Sequence, residues 1–512
     1  MRAIFKTFAI AAVLCVLAAC HGEPADPGNN GKPDVPETPD TPEIPADGFI
    51  TATIAPLTKV SYSEDSKNHD FVGSWQVGDE IFGFTSEGTA VSFEVESLNP
   101  VTKVATLEQK TSVDLAEGTK VHAIFCPGKT ADDLSGQSLA LDFSEQTVDV
   151  LPILLLATAT VEKSGLAFGF KSAVSVIGIT NPVFPKETTA DKLVRITVSG
   201  HEIVSSGVVS VSDGQLVFTG NAPDKFIIKT LNVAPVVSSG RFTLEDPVYI
   251  VVPAGPVGSV SAIDNRNNFF VYELDKAVEA SEYCLLNDTT FPAVALPSSS
   301  KVTVENVVWA AANLGAASKT DMGDIYRWSD TGIIYTEKGS GTTATYDENH
   351  QDGFNTYDGE CYFSASASAY TKYNTTDNKT VLDPVDDIVQ LTYPGSDWRM
   401  PTLAEFNALF EASDITQTYS TGTGNNAGTT FTQGENTMFI RGTTRVCAPS
   451  SSEKKKLGKL GRYWTSSISI ANLKSTGGNP DYIQFNTDGT KSAAPTVSNA
   501  YRHSGFSIRP VK

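Results

Sequence analysis

Histidine and cysteine are scarce: the 512 residues carry 6 of each, and no two cysteines fall in a Cys-x-x-Cys spacing. A His-rich metalloenzyme, a zinc ribbon or a thioredoxin-like centre needs several such ligands close together, so none has sequence support. Positive charge is also short, with 38 Lys and Arg against 59 Asp and Glu and a formal charge of −21. Phosphate binding needs a concentrated basic surface, which argues against nucleic acid or anionic membrane as the main partner. After the first twenty positions no apolar run reaches the ~18–20 residues that span a bilayer. Arginine is missing altogether between Arg2 and Arg195. What remains is a length suited to about three domains of ~150 residues, each able to bury its own core.

Residues 1–20, MRAIFKTFAIAAVLCVLAAC, run from a positive start (Arg2, Lys6) through an apolar stretch to small residues before Cys20. This is the pattern of a secretory signal, too short and wrongly flanked for a spanning helix. Leu17-Ala18-Ala19-Cys20 resembles the bacterial lipobox. That resemblance implies that Cys20 is acylated and that outer-membrane lipid is a partner through its chains, each buried CH₂ contributing ~0.8 kcal/mol. Residues 21–48 hold seven Pro, seven acidic residues and one Lys, without apolar periodicity. Such a segment builds no core and is expected to be an extended tether, roughly 85 Å long at ~3.1 Å per residue. Of the other cysteines, Cys361 and Cys447 are the pair to test for a disulfide. Four buried free thiols (Cys126, Cys284, Cys361, Cys447) are the alternative.

From 49 to 297 the chain reads as short runs rich in β-branched and aromatic residues, separated by Gly, Asn, Asp and Pro. Examples are FITATI (49–54), EIFGF (80–84), VSFEVESL (91–98), KVHAIF (120–125), GLAFGF (165–170), AVSVIGIT (173–180), LVRITVSG (193–200) and PVYIVVPAG (247–255). Runs of strand length with turn signals between them predict antiparallel sandwiches. A boundary is placed at 150, before the buried-looking LPILLLATATV (151–161). Trp75 is expected in a core and Gly78-Asp79 in a turn. The words ITATI…TKVSYSED…GSWQVGDEIFGF (50–84), LPILLLATATVEKSGLAFGFKSAVSVIGIT (151–180) and VYIVVPAGP (248–256) resemble the fimbrillin-like proteins of Bacteroides-type bacteria. That resemblance implies two transthyretin-like sandwiches (49–150 and 151–297), a place on the cell surface or in a fimbrium, and fimbrial subunits as partners by strand addition. Shaft subunits of that family are trimmed by an Arg-specific protease, and the first strands here offer it no Arg. A retained lipid and an anchored or accessory subunit are therefore expected.

Four of the five Trp lie beyond 298, at Trp309, Trp328, Trp398 and Trp464, among long polar segments. Trp398 and Trp464 are expected in a core. Thr402 and Glu405 have capping-box spacing, and Leu403, Phe406 and Phe410 share one face, so 398–413 predicts a helix. Arg399 and Asp397 are expected to form a local ion pair. NVVWAAANLGA…GDIYRWSD (306–330), VLDPVDDIVQLTYPGSDWRMPTLAEFNALF (381–410), GRYWTSS (461–467) and GFSIRPV (505–511) resemble the Fibrobacter major-paralogue domain. That domain is similar in turn to the C-type-lectin-like fold of sulfatase-modifying enzymes. Those enzymes bind copper through paired Cys late in the domain, and 463–512 holds none, so the domain is read as non-catalytic.

The fold class expected is mainly β: two antiparallel transthyretin-like β-sandwiches followed by an α+β C-type-lectin-like domain over 298–512. The segment 467–500, polar and rich in Asn, Ser and Tyr, suits a display surface. Asn472, Asn479, Asp481, Tyr482, Asn499 and Tyr501 are its candidate contacts with an extracellular glycan or protein. Asp383, Asp386 and Asp387 are candidate calcium ligands through their carboxylate oxygens, with turn-making and capping as the alternative. No other cofactor is implied. The reading is a lipid-anchored adhesin or fimbrial accessory or tip subunit of the outer membrane. Its rivals are a purely structural anchor or cap and a glycan-processing accessory protein.

Overall fold

In AVSFEVESL the apolar residues alternate, and in the computed structural model the strand Ala90–Leu98 turns Val91, Phe93 and Val95 into a core while its polar residues face out. The residues described are 49–55, 58–61, 74–148, 150–185, 192–234, 236–238, 241–330, 333–338, 345–348, 362–364, 366–421, 427–442, 460–486 and 495–512. The signal, Cys20, the tether, Cys361 and Cys447 lie outside them. Strands dominate, so the chain is mainly β. No helix of the described residues is long and apolar enough to cross a membrane.

The first unit is a closed seven-stranded barrel. Around it run Ile50–Ile54, Leu166–Ser172, Leu155–Thr160, Lys120–Phe125, Glu80–Thr85, Ala90–Leu98 and Ala105–Gln109, which returns to Ile50–Ile54. Trp75, 3% exposed, fills its interior edge-on to Phe125 and Phe170, both at 5.1 Å. Gly78 turns the chain with φ +92°, and the Asp79 carboxylate accepts the Gln76 N–H at 2.8 Å.

The strands of the first unit close on one another, and the expected cut at 150 does not separate the sheets. The reason is that LPILLLATATV is buried on both faces. Leu155 and Ala157 point into the barrel, while Leu154 and Leu156 point into a second cluster with Phe82, Phe84, Val176, Val251 and Leu285. A strand with two apolar faces belongs inside, and here it closes the barrel against Lys120–Phe125. Residues before 150 cross the other way: Leu139–Asp142 pairs with Ser206–Ser212, and Glu145–Gln146 with Ile227–Val233.

The second unit is two packed sheets. One runs Val248–Pro253, Val174–Thr180, Glu282–Asn287 and Thr58–Ser61; the other runs Ala293–Val294, Phe269–Val278, Gly255–Asp264, Leu193–Ser199, Ile227–Val233 and Glu145–Gln146. Ile177, Ile179, Ile250, Val252 and Leu286 of the first meet Ile196, Val198, Val260 and Phe270 of the second.

In the last unit the four quoted words converge. Val308 and Ala310 donate to the carbonyls of Lys512 and Pro510, Arg399 pairs with Val511, Ser466 N–H reaches Pro401, and Trp464 Nε1 donates to Tyr326 O at 2.9 Å. Trp309, Trp328, Trp398 and Trp464 are all buried. Two helices are described: α1, Ile388–Thr392, and α2, Leu403–Glu411. The α2 capping box forms as expected, with Thr402 Oγ1 accepting the Glu405 N–H and Glu405 accepting the Thr402 N–H. The expected Arg399–Asp397 pair does not form. Glu405, brought back over the helix start, takes the Arg399 fork instead, and Asp397 stands 3.7 Å from Arg195.

The last unit is joined to the second by polar contacts. Arg195 donates to Gly395 O, Ser261 Oγ to Pro394 O at 2.7 Å, and Lys372 Nζ to Pro223 O at 3.0 Å. Gly395 has φ +77°, and a Cβ there would lie 2.0 Å from Thr197 Oγ1, so glycine is required at this contact.

Candidate ligand-binding face of the last domain

Leu460–Trp464, Asp481–Asn486 and Thr496–Asn499 form a three-stranded sheet with Thr496–Asn499 at its edge, all four residues exposed. Asp481 opens the central strand, opposite Asn499. Its carboxylate accepts Ser469 Oγ–H at 2.5 Å and Asn472 Nδ2–H at 3.2 Å. Burial holds this carboxyl above its ordinary range, and the Ser469 and Asn472 hydrogen bonds only partly offset it. Asn479 Nδ2 reaches Asn499 Oδ1 at 3.4 Å. The structure therefore gathers Asn472, Asn479, Asp481 and Asn499, with Tyr501 following in the same chain segment.

Two of the six expected contacts are corrected. Asp481, 2% exposed, braces the loop from beneath. Tyr482, 6% exposed, packs its ring 4.7 Å from Phe506 and edge-on to Trp464, with the Arg462 guanidinium 5.3 Å above it. The physical reason is that a central strand is covered on both faces: Tyr482 faces one core cluster while Ile483 and Phe485 face another. Asn479, Asn499 and Tyr501 keep access to solvent, Tyr501 at 56% exposure.

Arg502 and His503 were not anticipated from the sequence. Arg502 is buried and donates to the carbonyls of Gly478 (3.2 Å), Lys372 (3.0 Å) and Tyr373 (2.7 Å), with its guanidinium 3.9 Å from the Tyr370 ring centroid. His503 lies parallel to Tyr501, 11° between planes and 5.3 Å between centroids. The one available signal was the in-and-out alternation of an extended Tyr-Arg-His triplet, too short to read by itself.

The calcium expectation is also corrected. Lys372 Nζ sits 2.5 Å from Asp386 and 2.6 Å from Asp383, where a cation would be held. Asp386, fully buried, also accepts the hydroxyls of Tyr362 and Tyr373 and faces His201 Nδ1 at 3.5 Å. Lys379 Nζ meets the same Asp383 oxygen, Oδ2, at 2.6 Å. Asp387 turns away to cap α1 through the Val389 N–H and to accept the Met400 N–H at 2.8 Å; burial still holds its carboxyl above the ordinary range. Among the described residues no group of three or more His, Cys, Asp or Glu could hold a metal ion. The LDPxDD word is thus a capping and ion-pair element.

No family model matches the chain, and no curated protein does. Among solved structures, a candidate cell adhesion protein from Bacteroides ovatus is 14% identical with a TM-score of 0.34, over 49% of this chain and 96% of its own. Another from Bacteroides uniformis is 13% identical with a TM-score of 0.29, over 42% of this chain and 88% of its own. A fimbrial protein from Bacteroides ovatus is 10% identical with a TM-score of 0.26, over 92% of this chain and 99% of its own. At such low TM-scores the likenesses carry no argument, and the function is read from the chain's own residues.

Proposed function

We propose that this chain is a lipid-anchored adhesin or fimbrial accessory subunit, held at the outer membrane through Cys20, whose last domain binds an extracellular ligand. The observation that carries this reading is the face formed by Asn479, Asn499 and Tyr501, open to solvent yet fixed from beneath by Arg502 and Asp481. Contact groups held by a buried brace lose little freedom on binding, and Tyr adds a large contact with few rotors. Such a face orients and holds a ligand. The transthyretin-like and C-type-lectin-like assignments belong to this proposal. Cells displaying the whole chain should adhere to an epithelial monolayer, and Asn499→Ala/Tyr501→Ala should lower adherence with the surface amount unchanged. Cys20→Ser should release the protein into the soluble fraction. Undiminished adherence by the double variant refutes the face, and membrane retention of Cys20→Ser refutes the anchor.

A second reading, a structural fimbrial subunit joined by strand addition, is favoured by Thr58–Ser61. This four-residue edge strand pairs in parallel with Glu282–Leu285 and with no other described strand. Displacing it would open an edge to a neighbour's strand. A heat-labile ladder on gels is the expected result of polymerisation, and its absence from surface extracts speaks against this reading.

A further inference from the structure

The geometry points to a neutral pyranose ring, at the exposed end of a glycan, as the group taken by the Tyr501–His503 plate and the Asn479/Asn499 amides. This deepens the reading that the last domain binds a ligand on this face, and it rests on that reading. Three observations carry it.

The first is flatness. Tyr501 and His503 stand on either side of the inward Arg502, and their rings are stacked, within 11° of parallel at 5.3 Å between centroids, so the imidazole backs the phenol ring and the two form one stacked aromatic plate. Tyr501 is 56% exposed. A large aromatic face costs free energy when left in water and is relieved by a flat apolar surface. The axial C–H face of a pyranose is such a surface. The plate is held from behind, because Arg502 spends its donors on the carbonyls of Gly478, Lys372 and Tyr373.

The second is a pair of amides close by in the chain: Asn499 precedes Tyr501 by two residues, and Asn479 reaches Asn499. A carboxamide carries two N–H donors and an oxygen with two lone pairs. The long 3.4 Å contact between Asn479 Nδ2 and Asn499 Oδ1 uses one donor and one lone pair. Neighbouring hydroxyls on a sugar ring present the matching alternation of donor and acceptor.

The third is charge. The guanidinium at this face is buried and committed to three carbonyls, so it is not offered to a sialate or sulfate. A net charge of −21 repels anionic glycans as they approach. The Asp481 carboxylate is likewise enclosed and occupied by Ser469 and Asn472, leaving no reason for a cationic ligand to settle there.

The test uses the whole chain in detergent. Its probes are arrayed neutral oligosaccharides ending in galactose, mannose, fucose or N-acetylglucosamine, their sialylated and sulfated counterparts, and immobilised collagen and fibronectin. Saturable binding to a neutral glycan, competed by the free sugar, is expected. Tyr501→Ala and Asn499→Ala should each weaken it about tenfold, ~1.4 kcal/mol, while Tyr501→Phe retains it. Both sites are exposed, so the melting curve should not move. Capture of sialylated or sulfated glycans in preference to neutral ones, or of matrix protein alone, overturns the neutral-sugar assignment and leaves an adhesin. Neutral-glycan binding that Tyr501→Ala does not weaken overturns this plate as the site. A silent array overturns the assignment, and together with undiminished adherence of the displayed double variant it overturns the binding face as well.

Discussion

Asp386→Ala should be among the most damaging single changes in the last domain. Asp386 is wholly buried and accepts from Lys372 at 2.5 Å and from the phenols of Tyr362 and Tyr373. Removing one member of a buried pair costs about 3–5 kcal/mol, because the other charge is left uncompensated. Here the lower end applies, since Asp383 still holds Lys372 at 2.6 Å. The two phenols lose an acceptor, and the Tyr373 phenol, already driven well above its ordinary pKa by burial and then by Asp386 and Asp383, has no ionised form to fall back on. About 3 kcal/mol in a domain of this size corresponds to a fall in Tm of about 6–12 °C. Four of the five Trp lie in this part of the chain, and Trp328 stands edge-on to Tyr373 at 5.1 Å, so Trp fluorescence during urea or thermal unfolding reports the transition. Lys372→Met combined with Asp386→Leu should cost less than the two single changes together, as groups in direct contact are not additive. A loss below about 1 kcal/mol for Asp386→Ala, or strict additivity in the pair, refutes the account of this network.

Three further outcomes are expected. Calcium at 10 mM should leave the same transition in place, whereas a site with Kd near 0.1 mM would add ~2.7 kcal/mol; a rise of several degrees would restore Asp383, Asp386 and Asp387 as ligands. The Glu405 carboxyl lies below its ordinary range although burial opposes this, because the Arg399 hydrogen bonds and the Thr402 N–H outweigh it. Its contribution is present above the unfolded carboxylate pKa of ~4.3 and lost as pH falls through the lower folded value. Glu405→Gln should thus cost about 1 kcal/mol at pH 7, modest because Arg399 is about one-third exposed. That cost should fade toward pH 3, and a pH-independent loss contradicts the ion pair. Burial pushes the thiols of Cys126 and Cys284 up to about 11, so at pH 8 iodoacetamide should modify them only in denaturant; rapid native labelling, read by peptide mapping, contradicts their burial.

Strands were legible wherever one face alternates, as in Val91, Phe93 and Val95, and where two faces are apolar, as in EIFGF. The helix at Leu403–Glu411 was legible because its capping box is local. Barrel closure was not, since Ile50–Ile54 meets Leu166–Ser172 across more than a hundred residues and no short-range pattern encodes that pairing. Charge partners failed for a similar reason. Asp397 is beside Arg399 in sequence, but the helix start delivers Glu405 to it, and the three aspartates of the LDPxDD word looked like a cation site until Lys372 arrived from another segment. Tyr482 shows the limit of reading a polar stretch as surface, because one buried alternation is hidden among exposed neighbours. That Asn479, Asn499 and Tyr501 reach solvent was legible, whereas the Arg502 brace was not.

The parallel pairing of Thr58–Ser61 with Glu282–Leu285 has a consequence for how the chain reaches this state. A segment that leaves the ribosome early waits for a partner made more than two hundred residues later. Closing so long a loop is entropically costly and slows folding when such contacts dominate. The barrel can close once Ser172 is available, but the four-stranded sheet stays open at that edge until the rest of the second unit has formed. The molecule thus spends part of its maturation with one sheet unfinished, and that interval is when an exposed edge is most vulnerable to pairing with the wrong chain.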